Sequence, residues 1–172
     1  MAGIGTYTKI EGFAFLPITS FMMALTTFVS QNRGAKEYER ARKGAHFGLV
    51  CSVSLAETIG LLIALFATPL MRLFVDDPQV IQYGVERAHY ATILFFLLAY
   101  SHGVSAVLRG VGKSVVPMVV MLVCWCLVRV TLLTMLNMLF HNILFVYLIY
   151  PFTWSLSSIV FFLYYRKINW QE

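Results

Sequence analysis

The sequence predicts an all-α integral membrane protein with about five transmembrane helices and no soluble domain. Hydrophobic residues make up 59% of the 172 residues and charged residues only 12%, whereas an ordinary soluble domain carries about 25% charge. The apolar residues also gather into runs of about 20 residues, the length that crosses a bilayer as a helix. Because every backbone polar group in hydrocarbon needs an internal partner, runs of this length without alternation indicate helices.

Five such runs follow one another along a single transmembrane helical domain covering residues 1–172. They cover residues 13–30, 45–69, 90–108, 115–138 and 143–165. A helix start precedes the third run, because Asp76 or Asp77 can act as the N-cap and Pro78 suits the first helical position. Pro17 and Pro151 fall inside the first and fifth runs, where each is expected to kink its helix.

The basic residues between the runs predict an orientation. Lys9, Arg72 and Arg87 lie on one side, Arg129 lies inside the fourth run, and nine others lie on the opposite side. The larger group is expected to be cytoplasmic, so the N-terminus lies outside the plasma membrane and the C-terminus inside. The net charge of +5 does not indicate a nucleic-acid partner, because the basic residues form short clusters between apolar runs. The nine residues are Arg33, Lys36, Arg40, Arg42, Lys43, Arg109, Lys113, Arg166 and Lys167.

Three motifs occur in a fixed order. The first contains Glu11 and Pro17 and ends with Gln31, Asn32, Gly34 and Ala35; the second is the Leu-Phe-x-Asp-Asp of residues 73–77; the third contains Arg109, Gly110 and Gly112. In this order and at these spacings they resemble the C-terminal half of the MATE (multidrug and toxic compound extrusion) transporters. The stretches around Gly34, Gly110 and Gly112 are interpreted as helix ends and tight turns, with Gly34 as a left-handed cap.

The resemblance implies a transporter with twelve helices in two related halves, of which this chain would supply helices eight to twelve. Met1 would then be an internal methionine, the chain a fragment, and the missing N-terminal half its partner. In the lipid bilayer the intact parent would export drugs or organic cations by antiport with H⁺ or Na⁺. The resemblance implies no cofactor beyond the coupling ion.

Ionisable residues inside the runs are the candidates for ion coupling, because a charge in hydrocarbon is costly. Glu57 and Arg129 lie at similar depth, roughly 18–21 Å along their helices from the cytoplasmic side, so the sequence predicts that they contact one another or share a polar cluster. The alternatives to a coupling role are a structural ion pair and an Arg129 side chain that extends to the outer membrane interface. Glu11 and His102 are further candidates, with an interfacial charge and a packed polar side chain as their alternatives.

Other functions stay open at this level. A lipid-linked saccharide flippase of the same superfamily would carry more deep basic residues for pyrophosphate, whereas the sequence indicates Arg129 alone. A non-transporting membrane module that assembles with a partner is a second alternative. An enzyme is not expected, since the sequence has no nucleophile–base arrangement and no metal-ligating set.

Overall fold

The computed structural model describes residues 2–140 and 143–171, so the predicted internal methionine at position 1 lies outside the described residues. The described part of the chain contains helices and no strand. The helices are α1 (Ala2–Gly34), α2 (Tyr38–Leu65), α3 (Ala67–Arg72), α4 (Pro78–Thr92), α5 (Phe95–Gly110), α6 (Val115–Met121), a π-helical segment (Leu122–Val128), α7 (Arg129–Phe140) and α8 (Ile143–Arg166).

The predicted all-α membrane fold class is confirmed. Four helical stretches are long and apolar enough to cross a bilayer, namely Gly5–Gly34, Tyr38–Leu65, Val115–Leu136 and Leu148–Arg166. Helices α4 and α5 pass the same test together as a fifth span, although they are bent by 55° at the break between them. The predicted third run, residues 90–108, therefore contains a break that its hydropathy does not reveal.

Two carboxylates stabilise the starts of α4 and α5. Asp77, one of the two predicted caps, accepts a hydrogen bond from the Gln79 N–H at 2.9 Å. At the break before α5, the Glu57 carboxylate of α2 accepts one from the Phe96 N–H at 3.1 Å. The first N–H groups of a helix have no intrahelical acceptor, so Glu57 provides one inside a span.

The turns after α1 and α5 have the same geometry. In each turn, a residue in the left-handed region follows the helix, and the N–H of the next residue donates to the carbonyl five residues earlier. These hydrogen bonds run from Glu37 to Asn32 and from Lys113 to Leu108. The left-handed residues are Lys36, with φ of 61°, and Gly112, with φ of 82°. The prediction of a left-handed Gly34 is wrong, because Gly34 is the last residue of α1 and the left-handed conformation falls on Lys36.

Helix α5 occupies the centre of the bundle, in contact with α1, α2 and α8. Most of its residues are buried, including the consecutive run from Gly103 to Leu108. At the end where α1 and α5 stop, the Arg33 guanidinium donates to the Val111 carbonyl and so joins the two turns. Pro17 and Pro151 lie inside α1 and α8 respectively, and the kinks expected there stay a prediction.

Candidate functional site

A cleft of about 380 Å³ lies between α1, α5, α8 and the helix formed by α6, the π-helical segment and α7. Glu11 and Arg129 contribute the charged groups of its wall, and aromatic rings supply much of the remainder. Aromatic faces bind organic cations as well as flat apolar groups. The aromatic residues lining the cleft are Phe15, Trp125, Tyr150 and Trp154.

Glu11 is placed beside a buried arginine of α4. Its carboxylate oxygen lies 3.9 Å from Nη2 of Arg87, and the two side chains are 18% and 5% exposed. A buried guanidinium needs a counter-charge, because transfer out of water costs several kcal/mol. Arg87 therefore fixes Glu11 at the edge of the cleft and depends on it in turn.

The ring of Tyr150 interacts with two arginines. The guanidinium carbons of Arg87 and Arg129 each lie 4.6 Å from its centroid. Arg87 also lies 5.5 Å from the ring centroid of Tyr7, a residue whose buried hydroxyl has no hydrogen-bond partner among the described groups. We call the group that contains Glu11, Arg87, Arg129 and the rings of Tyr7 and Tyr150 the charged cluster. It carries two positive charges and one negative charge.

Two side chains on neighbouring helical turns join the π-helical region to α8. Arg129 donates through Nε and Nη2 to Thr153 Oγ1, at 3.1 and 2.6 Å. Trp125 donates through Nε1 to Ser157 Oγ at 3.1 Å. The donors are four residues apart, as are the acceptors. The π-helical segment contains Trp125 and ends immediately before Arg129, in agreement with the frequent occurrence of π-helical turns at functional sites.

His102 lies behind the aromatic wall of the cleft. Its ring makes edge-on contacts with Phe15 and Trp125, at centroid distances of 5.0 and 5.1 Å. Its Nε2 has no hydrogen-bond partner among the described residues. Nearby, Ser101 is within 2.9 Å of both Ser157 and Ser158 through the hydroxyl oxygens. His102 is therefore packed against the cleft wall and does not line the cleft.

The structure brings together some of the predicted residues and separates others. Glu11 and Arg129 both line the cleft, whereas Glu57 lies elsewhere and accepts from the Phe96 N–H. Among the described residues no ion pair joins Glu57 to Arg129, so the predicted contact is wrong. Similar depth along two helices does not determine which way each side chain faces.

Arg87 and Tyr150 are the residues that sequence reasoning missed. Arg87 was counted with the external loops, but it lies in α4 and is 4% exposed. A signal was present in the sequence, because Gly84, Ala88 and Ala91 share its helix face and are also buried. Small residues around an arginine at helical spacing indicate that a neighbouring helix covers it. Tyr150 stands in a strongly apolar run, where no local pattern distinguishes it.

The fold and the charged cleft define a class of protein, the helical membrane proteins that carry a polar site inside the bundle. The family to which the chain belongs is MatE, whose family model matches residues 1–135. The predicted resemblance to the MATE transporters is thereby confirmed, and the chain is an integral membrane protein of a family of transporters.

Three curated relatives are similar to the chain. A probable multidrug resistance protein NorM of Thermotoga maritima is 30% identical over 112 residues, covering 65% of this chain and 24% of the relative. An FAD transporter of Shewanella oneidensis is 29% identical over 83 residues, covering 48% and 18%. A probable multidrug resistance protein YoeA of Bacillus subtilis is 23% identical over 173 residues, covering 99% and 37%. The chain thus spans between about a fifth and about two fifths of the length of these relatives.

Proposed function

We propose that the chain forms part of a secondary active transporter that exports drugs and organic cations in exchange for H⁺ or Na⁺. The observation that carries this proposal is the position of Glu11, a carboxylate at the wall of an aromatic cleft and next to two arginines. The family and the multidrug resistance names of two relatives support the substrate class. The remaining helices of the transporter, including its N-terminal half, would complete the substrate cavity.

The charged cluster offers a physical basis for exchange. With Glu11 ionised, one carboxylate offsets part of the charge of the two guanidinium groups. Binding of H⁺ or Na⁺ at Glu11 adds one positive charge, so the formal charge of the cluster rises from +1 to +2. A cationic substrate is then repelled from the cleft more strongly. Alternation between two packings that open to opposite sides would turn this mutual exclusion into antiport.

Gradient-driven export tests the proposal directly. In a complete transporter that carries this segment, Glu11→Gln is expected to reduce ethidium export driven by a pH or Na⁺ gradient by at least about ten-fold, since the site loses its ionisable group. Glu11→Asp should retain part of the rate. The matched control is Glu57→Gln, which alters a carboxylate outside the cleft and keeps an oxygen that can accept from Phe96.

Two outcomes of this measurement would contradict the proposal. Export that stays coupled to either gradient in Glu11→Gln would remove Glu11 from the coupling mechanism. A complete transporter that moves no dye under either gradient would favour the non-transporting membrane module.

The orientation is also part of the proposal. We place the N-terminus outside the plasma membrane and the C-terminus in the cytoplasm, because the basic residues concentrate on one side. The burial of Arg87 inside the bundle removes one basic residue from the external group and strengthens this asymmetry. Lys36 lies in the turn after α1 and Gln79 lies in the first turn of α4, and both residues are exposed. In the proposed topology they face opposite sides of the membrane.

Cysteine labelling in intact cells checks this orientation. In a variant without Cys51, Cys124 and Cys126, a cysteine at Gln79 is expected to react with a membrane-impermeant maleimide. A cysteine at Lys36 should react only after the membrane has been permeabilised. Equal labelling of both positions from outside would refute the proposed topology.

A further inference from the structure

We propose that a groove between α2 and α8 binds one anionic phospholipid with a hydroxylated headgroup, of the phosphatidylglycerol class. The groove has a volume of about 620 Å³, shares no lining residue with the cleft, and lies between the start of α2 and the end of α8. Tyr165 contributes the wall from α8, and α2 contributes the remaining lining residues. Those residues are Glu39, Arg42, Lys43, His46, Phe47 and Val50.

The α2 residues of the groove form a single stripe whose chemistry changes along the helix. Spacings of three and four residues place them on one helix face. The first part of the stripe carries the basic side chains and the last part carries Phe47 and Val50, which are 72% and 53% exposed. From Arg42 to Val50 the helix rises about 12 Å. A charged end followed by an exposed apolar end matches a phospholipid headgroup with its acyl chain below.

The charges of the groove favour an anion. Lys43 pairs with Glu39 at 2.6 Å, and both side chains are more than three-quarters exposed. Arg42 makes no ion pair with any of the described residues, so its guanidinium is available to a phosphodiester. Guanidinium and phosphate groups form paired charge-assisted hydrogen bonds. His46 lies one turn deeper and adds a donor on the same side of the groove.

Aromatic residues place the groove at the depth of lipid headgroups. The rings of Tyr165 and Trp170 meet edge-on at a centroid distance of 6.4 Å, at the end of the span Leu148–Arg166. Tyrosine and tryptophan concentrate at this level in membrane proteins, because one part of each ring system is apolar and the other is polar. The basic end of the stripe therefore lies at the depth of a phosphate, and Phe47 and Val50 lie further along α2, at the depth of the acyl chains.

A second, smaller groove indicates the kind of headgroup. It has a volume of about 390 Å³ and shares Glu39 and Arg42 with the first groove. Its other walls include the amide side chains of Asn169 and Gln171. A phosphate held at Arg42 could extend its polar substituent into this space, where amides and Glu39 can bind hydroxyl groups. A glycerol headgroup has that chemistry, and phosphatidylglycerol carries the net negative charge that phosphatidylcholine lacks.

The test compares lipids on the purified chain in dodecyl maltoside, with binding measured by native mass spectrometry. Dioleoyl phosphatidylglycerol is expected to bind at least about ten-fold more tightly than dioleoyl phosphatidylcholine, since Arg42 and Lys43 both attract an anionic headgroup. Arg42→Gln/Lys43→Gln should reduce this preference to two-fold or less. The control, Arg40→Gln/Lys113→Gln, removes the same charge outside the groove and should keep the preference.

Three results would overturn the proposal. Equal binding of the two lipids by the unaltered chain would show that the groove does not recognise the headgroup. An equal loss of preference in the control variant would indicate general attraction to positive charge in place of a site. Binding of the deacylated headgroup, glycerophosphoglycerol, as tightly as the lipid would identify a soluble phosphodiester as the ligand. None of these results depends on whether the chain takes part in transport.

Discussion

Glu11→Gln is expected to lower the free energy of unfolding of this chain by about 2–3 kcal/mol, because it leaves a buried guanidinium without its counter-charge. Arg87 is 4% exposed and is surrounded by the rings of Tyr7 and Tyr150. The faces of these rings attract the cation but carry no net charge. We place the value at or below the lower end of the usual range for breaking a buried ion pair, since Glu11 is 18% exposed and lies 3.9 Å away.

A double-mutant cycle separates this pairing from a general loss of packing. Adding Arg87→Met to Glu11→Gln is expected to recover at least half of the lost stability, because the long apolar side chain fills the site without a charge. Unfolding in sodium dodecyl sulfate, followed by circular dichroism, measures the two single variants, Glu11→Gln and Arg87→Met, and the double variant. Glu57→Gln is the control and should change stability by less than about 1 kcal/mol, since its amide oxygen still accepts a hydrogen bond. Simple additivity of the two substitutions would contradict the pairing.

The second large effect is expected at Gly110, where α5 crosses α1. A Cβ atom on Gly110 would lie 2.8 Å from Cβ of Val29 and 2.9 Å from the carbonyl oxygen of Thr26. These neighbours belong to the backbone or lie next to it, so they cannot rotate away. The Thr26 hydroxyl of α1 also donates to the Ala106 carbonyl of α5 at 3.1 Å. This hydrogen bond holds the two helices close together. Gly110→Ala should therefore separate α1 from α5 and destabilise the chain by about 2 kcal/mol.

Gly34→Ala provides the matched control, since it makes the same substitution at another glycine of the family motifs. A Cβ on Gly34 would meet nothing within 4 Å, and the residue is still helical. Alanine is favoured over glycine in a helix by up to about 1 kcal/mol, so this variant should be unchanged or slightly more stable. Thermal unfolding of both variants in the same detergent checks the contrast. Equal stability of the two would show that the approach of α1 to α5 can relax.

Local chemistry accounts for the features that were predictable from the sequence. Long apolar runs predicted the spans, because hydrocarbon leaves the backbone no choice but helix. The Asp77–Pro78 pair predicted the start of α4, because a cap and a first-turn proline act within a few residues. The motifs around Gln31 and Gly110 predicted the family, which the match over residues 1–135 shows.

Contacts between distant helices explain where prediction failed. Residue counting gave Glu57 and Arg129 the same depth, yet packing turned Glu57 towards the first turn of α5 and Arg129 towards Thr153. The bend before α5 created the unpaired N–H group that Glu57 satisfies, and hydropathy contains no sign of that bend. The expected pair was therefore replaced by two unrelated contacts.

The sequence by itself determined the helical membrane fold, the family and the presence of costly charges within the spans. Only the tertiary structure decided which charges meet. It placed Arg87 beside Glu11, brought Tyr150 within reach of two guanidinium groups, and wound Leu122–Val128 as a π-helix that carries Trp125. The physical reason is that a helix forms from contacts within four or five residues. Its rotation about its own axis is set by the small residues and polar groups of the helices packed against it.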